Sequence, residues 1–492
     1  MANLGKSVSY LFMAEFMLLI TGYAVHFFLG RHLGPAEYGI YGVILTLMTT
    51  ITLILATGIP TAVSKLISED IRYAEYIKRK ALRLQVLSSI IIAVIYFLSA
   101  GFFAYLLRDS SLIGYIRLSA LVFPTYSLFA IYLYYFNGLQ KFGKQAILIT
   151  VYSILKLLLV IILVLMMEIY GAILGFVISP LIAFIFAMFI KKGGQYEERR
   201  EVRIYGKMIK FALPIIVLSV FLNVLLNIDL WFVKAILTDV ETGFYTASSM
   251  LTKMVYMAMV SVTGVLFPAI SASIASKSLE RTRSLIGHSL RYLTLGLLPV
   301  IAYFSIRSDR ITSMVYGQEY ISAWQSLSIL IFGITFLILF FTFATIMNAS
   351  GKPKKSMYMI IVGLIISIAL NYTLIPRYGL IGAASATTIA GAVILLISGI
   401  SVKRQFGLRL RGRFFFNTLS ALALSCLVIL LFSFMSSSKF IIIPESMLFF
   451  SVYFALLIFV FKELTKVDIK RVQEAVPFSS KFRFLFEFLG GV

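Results

Sequence analysis

LGPAEYGIYGVILTL (residues 33–47) and LTDVETGFYTASSML (residues 237–251) carry Leu, Glu, Gly and Tyr at the same spacing, 204 residues apart. Each lies between two long apolar runs, so each reads as a connection between helices. A connection written twice at so wide an interval points to an internal duplication. Further echoes keep the chain order. NGLQKFGK from Asn137 and NASGKPKK from Asn348 both place Lys four and seven residues after Asn. YGAILG from Tyr170 answers YGLIGA from Tyr378, and Pro60 answers Pro268, each 208 residues on. Offsets of 204, 211, 208 and 208 drift by only a few residues, and the unit they define contains six apolar runs.

Composition fixes the surroundings of those runs. The chain is 60% apolar and 13% charged, with a mean hydropathy of +0.97, whereas soluble domains are about half apolar and a quarter charged. Fourteen runs, from 7–30 and 39–64 through 414–436 and 441–461, approach or exceed the roughly 20 residues that a spanning helix needs. None shows the alternation of a membrane β-barrel strand. The first run follows a lone Lys6 and has no cleavage signature, so it reads as a retained helix.

The expected fold is an all-α polytopic membrane protein of 14 transmembrane helices, two six-helix repeats plus two C-terminal helices. Residues 1–200 form an N-terminal lobe, 201–406 a C-terminal lobe, 407–463 the extra pair and 464–492 an interfacial tail rich in basic and aromatic residues. Because six is even, the repeats are parallel.

Cytoplasmic loops hold the Lys and Arg of a membrane protein. With the N-terminus inside, only Arg31, Arg108, Arg117, Lys234, Arg307, Arg310, Arg377 and Lys439 of the 44 basic residues fall outside. Lys156 and Lys253 fall within spans. Both termini are therefore expected in the cytoplasm, and the chain in the cell membrane. The net charge of +23 is dispersed over inner loops facing anionic lipid, with no folded basic face for nucleic acid. The single Cys426 has no disulfide partner. Three His without a cluster, no Asp-x-Asp and no phosphate-binding Gly loop leave no metal site, no cofactor and no enzyme. A sugar-chain polymerase or ligase would need a large outer loop; the longest here is 307–322.

RHLGPAEYGIYGVILTL, NGLQKFGKQAI and YGLIGAASAT resemble the polysaccharide biosynthesis (oligosaccharide flippase, Wzx-type) family of the multidrug/oligosaccharidyl-lipid/polysaccharide exporter superfamily. The resemblance covers essentially the whole chain, including six plus six plus two helices. It implies a flippase that moves lipid-diphosphate-linked oligosaccharides from the cytoplasmic to the outer leaflet, with membrane lipid and glycan-assembly enzymes as partners. The alternatives within the superfamily are a cation-coupled multidrug exporter and a cell-wall lipid-precursor flippase. Drug exporters of this superfamily have twelve helices and favour acidic cavities.

An anionic diphosphate head needs cations inside the membrane, where ionisable residues are costly and informative. Lys253 lies about ten residues into span eight, ~15 Å from its outer end at 1.5 Å per residue; Lys156 is equally central in span five. One ammonium per lobe suits a diphosphate clamp. Arg31 and Arg117, near outer helix ends, are further substrate-binding candidates. Glu15, in the cytoplasmic half of span one, is the candidate for a coupling ion, H+ or Na+. His26 and Asp229, nearly equivalent under the repeat, are candidate gate residues, and Pro60 and Pro268 candidate hinges.

Overall fold

A computed structural model describes residues 2–190, 204–275, 278–408, 412–433 and 442–464. The expected interfacial tail beyond residue 464 and the side chain of Pro268 lie outside the described residues. The described chain is helical, with no β-strand, as a bilayer requires of backbone that must satisfy its hydrogen bonds internally. Ten helices are long and apolar enough to cross a membrane. Three hold two spans each, because the helical backbone breaks inside them. The breaks are at Gly34 (φ 73°, ψ 174°), at Met167 and Glu168, and at Gly379. With the helix Asp239–Ala275, these make fourteen spans among the described residues. Their outer surfaces display Phe189, Met166 and Leu98, 81%, 75% and 74% exposed, which lipid solvates and water would not.

The chain divides into two compact units, Met1–Met254 with Met357–Ala390 and Val255–Ser356 with Gly391–Val492. The first contains the whole first repeat and part of the second. Its aromatic core joins Tyr132, Tyr135 and Phe136 of the fourth span to Tyr152 of the fifth, against Ala62, Val63 and Ile67 of the second. Elsewhere in the same unit the two copies of the duplicated connection meet. A Cβ on Gly39 would lie 2.6 Å from both the Asp239 carbonyl oxygen and the Gly243 nitrogen, and one on Gly243 would overlap the backbone of Pro35. The Gly shared by the two motifs lets their backbones touch.

The repeat is visible in the turns themselves. After the fourth span, Gln140 has φ 56°; its N–H donates to Asn137 O at 2.8 Å, and Lys141 N–H to Phe136 O at 2.9 Å. After the tenth, Gly351 has φ 75°, with the matching bonds from Gly351 to Asn348 and Lys352 to Met347, both 3.0 Å. Asn137 Nδ2 then donates to Gln145 Oε1 at 3.0 Å, and Ser356 Oγ to Asn348 Oδ1 at 2.9 Å. Every pair is offset by 211.

The next connection keeps that register. Glu168 (φ 50°, ψ −129°) and Gly379 (φ 55°, ψ −132°) share one backbone conformation. Three residues later, Gly171 sits on the Leu163 carbonyl as Gly382 sits on that of Leu374. The structure therefore moves the expected pairing of Tyr170 with Tyr378 by three residues. What the connection requires is a positive φ followed by a residue without a Cβ; the Tyr-Gly dipeptide is incidental. Because the second copy uses Gly where the first uses Glu, Glu168→Gly is expected to relieve strain of about 1 kcal/mol and raise the thermal unfolding midpoint. An unchanged midpoint would mean that the Glu side chain offsets its backbone strain.

The second span breaks at Gly58 and resumes as Ile59–Glu69 with Pro60 in its first turn, where a missing N–H is tolerated. Gln85 of the third span donates to the Leu55 carbonyl at 2.8 Å, just before that break. In the second unit, Glu445 is fully buried. It accepts from Arg307 Nε at 2.5 Å and Arg310 Nη1 at 3.2 Å, while Arg307 Nη2 also donates to Ile429 O at 3.2 Å. Tyr303 donates to Ile442 O at 2.7 Å. The final two spans are thus fastened to the chain between spans nine and ten.

Candidate functional site

The polar groups of the first unit gather where the seventh span is interrupted. Helix Ile204–Leu225 ends two residues before Ile228–Ile236 begins, and Asn223 and Asn227 flank the gap. Asn227 Nδ2 donates to Asn223 O at 2.7 Å, supplying a donor to backbone freed by the break. Thr50 of the second span donates to Asn223 Oδ1 at 2.7 Å, and Trp231 Nε1 to Thr46 Oγ1 at 2.9 Å.

Lys253 reaches this network. Its Nζ donates to Asn227 Oδ1 at 2.8 Å, a neutral partner. Lys156, 8% exposed, has its Nζ 5.5 Å from the centre of the Tyr152 ring one turn earlier, a cation–π distance. A Cβ on Gly22 would lie 3.8 Å from that Nζ, so the first span passes beside it. Among the described residues neither ammonium has a carboxylate within salt-bridge distance. Both act electrostatically on His26, so the two lysines share one neighbourhood.

His26 and Asp229 do not bond to each other. His26 Nδ1 is 3.3 Å from the Tyr38 hydroxyl. Asp229, 2% exposed, accepts from Tyr245 at 2.6 Å, Thr387 at 2.9 Å and the Leu230 N–H at 2.8 Å. The duplicated-motif Tyr of the second copy thus holds the carboxylate. Glu15 is exposed and makes no ion pair with Lys156; Tyr126 and Tyr134 lie within its electrostatic reach. Arg31 and Arg117 are exposed; Arg117 packs 5.1 Å over the Phe97 ring.

Sequence reasoning passed over several members of this assembly. Asn223 and Asn227, four apart in an apolar span, were the available signal. Tyr245 lay in the opening motif but was read only as a turn marker. Lys234, which the sequence places among the charges at the outer helix ends, is 5% exposed and bonds to Asp109 at 2.6 Å and to Asp239. Burial opposes ionisation of Asp109, but hydrogen bonds from Lys234 and Ser111 outweigh it and hold the carboxyl below its usual range.

A model of polysaccharide biosynthesis proteins matches residues 4–274, more than half of the sequence. The chain belongs to that family. The MatE family model matches residues 214–373. An uncharacterized membrane protein of Methanocaldococcus jannaschii is 22% identical over 430 residues, 82% of this chain and 98% of its own. A probable low-salt glycan biosynthesis flippase of Haloferax volcanii is 23% identical over 184 residues, 36% of this chain and 39% of its own. Among solved structures, a lipid II flippase, MurJ, in an inward closed conformation superposes with a TM-score of 0.75 at 16% identity, covering 91% of this chain and 98% of that one. Family and fold together make this chain a multi-pass membrane transporter of the flippase and exporter superfamily.

Proposed function

We propose that this polysaccharide biosynthesis family member flips lipid-diphosphate-linked oligosaccharides from the cytoplasmic to the outer leaflet of the cell membrane, by alternating access and with both termini in the cytoplasm. The observation that carries the reading is the pair of intramembrane lysines, Lys156 and Lys253, which act together on His26; among the described residues neither has a carboxylate within salt-bridge distance, and Asp229 acts on Lys253 only from farther off. Unpaired cations inside a membrane are expensive, and an anionic head supplies the missing counter-charge. The similarity to a probable glycan biosynthesis flippase and to a lipid II flippase supports the substrate class. Arg31 and Arg117 then act at the periphery of the path, His26 and Asp229 hold its gate through their Tyr partners, and Pro60 and Pro268 bend its helices.

The test is reconstitution. Full-length protein in proteoliposomes is expected to move a defined lipid-diphosphate oligosaccharide across the bilayer, and absence of flipping across a panel of carriers and glycans would sink the reading. Glu15, the carboxylate in the cytoplasmic half of the first span, is the coupling group in this scheme, with H+ or Na+ as the coupling ion. Glu15→Gln is expected to remove the dependence of transport on an imposed H+ or Na+ gradient while leaving substrate binding within about twofold of wild type. Unchanged gradient dependence would take Glu15 out of the cycle.

A further inference from the structure

The second and seventh spans enclose a cavity of about 390 Å³ at the end that the basic residues place in the cytoplasm; Ala62, Lys65, Leu66, Glu69, Lys207, Lys210 and Phe211 line it. All these residues belong to the first unit. Cavities that hold small ligand groups begin at roughly 300 Å³. Its floor is apolar, from Ala62, Leu66 and Phe211. Its rim carries three ammoniums and one carboxylate. Glu69 lies 3.8 Å from Lys65 and offsets one charge, leaving the rim net positive. Lys65 Nζ also lies 4.4 Å over the Phe211 ring, which orders the ammonium at the boundary between floor and rim.

Apolar floor and cationic rim match one kind of ligand. An amphiphile whose hydrocarbon begins where its phosphate ends fits both surfaces at once, whereas a soluble anion uses only the rim. The geometry points to a docking site for a phosphorylated lipid headgroup in this cavity, with the diphosphate of the lipid-linked substrate held there before it reaches Lys156 and Lys253. The second half of that statement rests on the flippase reading; the first does not. Ammonium groups, each a compact charge with three donors, bind phosphate oxygens without demanding one orientation, as suits a group that must be passed on. Lys65 and Lys210 are exposed at the rim, so removing their charge leaves the packed interior untouched.

The experiment uses full-length protein carrying Lys156→Gln and Lys253→Gln, in phosphatidylcholine nanodiscs, so that the central lysines do not contribute. A fluorescent polyprenyl diphosphate and a fluorescent phosphatidylglycerol are titrated separately, before and after adding Lys65→Gln and Lys210→Gln. Loss of two charge-assisted contacts is expected to weaken diphosphate binding by about tenfold or more, while Lys65→Arg with Lys210→Arg keeps it within about threefold. Affinity before the rim substitutions is expected to fall with added salt. A fall confined to the diphosphate probe identifies the substrate lipid as occupant; an equal fall for phosphatidylglycerol keeps the headgroup site and overturns its place on the substrate path. If neither probe weakens, there is no such site. Equal elution and thermal midpoints verify folding, and Lys210→Gln alone carries the same test with a smaller fall. Wild-type protein that fails to flip in proteoliposomes refutes the flippase reading without touching the binding result.

Discussion

Lys253→Gln is expected to weaken binding of a lipid-linked diphosphate by roughly thirtyfold to a hundredfold, the equivalent of about 2 to 3 kcal/mol for one charge-assisted contact in a partly dry site. The argument rests on what the ammonium touches. Its hydrogen bond goes to Asn227, a neutral amide, and Asp229 acts on it only through space, so its donors are not tied to a carboxylate and can turn to an incoming anion. Gln keeps a polar chain that can still bond Asn227, which separates loss of charge from loss of packing. Lys253→Arg keeps the charge but spreads it over a planar group with different donors, and is expected to fall between the two. Flipping in proteoliposomes should follow the order wild type, Arg, Gln, with yield and thermal midpoint preserved. A wild-type rate for Lys253→Gln would return this lysine to a purely structural role.

Gly243→Ala is expected to be the most damaging small substitution in the first unit. The added methyl has no room, since its position overlaps the Pro35 backbone, and backbone cannot turn aside as a side chain does. Forcing one methylene into such a contact costs about 1 to 3 kcal/mol, and here the two connections must separate to accept it. A fall of several degrees in the thermal midpoint is expected, and Gly39→Ala, whose Cβ would press on the same meeting from the other side, 2.6 Å from Asp239 O and Gly243 N, should reproduce it. Gly206→Ala meets nothing within 4 Å and serves as the control. Equal midpoints for Gly243→Ala and Gly206→Ala would show that the meeting of the two motifs carries no weight.

Much of the architecture was legible because bilayers impose length and polarity on every span. The fourteen spans and the duplication followed from apolar runs and recurring turn residues. The register of the last connection did not, because Tyr and Gly recur at turns for general reasons, while the property that fixes the break, a positive φ at Glu168 and Gly379, is shared by residues with nothing else in common. The central lysines stood out because charge in a span is rare. Asn227 did not, because an uncharged amide in an apolar run is unremarkable until the helix is seen to break beside it. The burial of Lys234 was not legible for the opposite reason: a charge at an outer helix end implies water, and only the fold brings Asp109 and Asp239 to it.

The two copies are 204 residues apart at the first connection and 211 apart by Asn348, so the second copy is seven residues longer between Tyr245 and Asn348 than the first between Tyr41 and Asn137. That stretch includes Arg307 and the helix Ser308–Tyr316, whose Arg310 joins Arg307 on Glu445. This stretch of the second copy is therefore the handle that holds the last two helices. The handle works in both directions. A chain cut back to its twelve repeated helices would leave Arg307, 7% exposed, without the carboxylate that balances it, and stranding a buried charge costs more than never having had one. The last two helices thus supply a counter-charge on which the fold of the second unit depends.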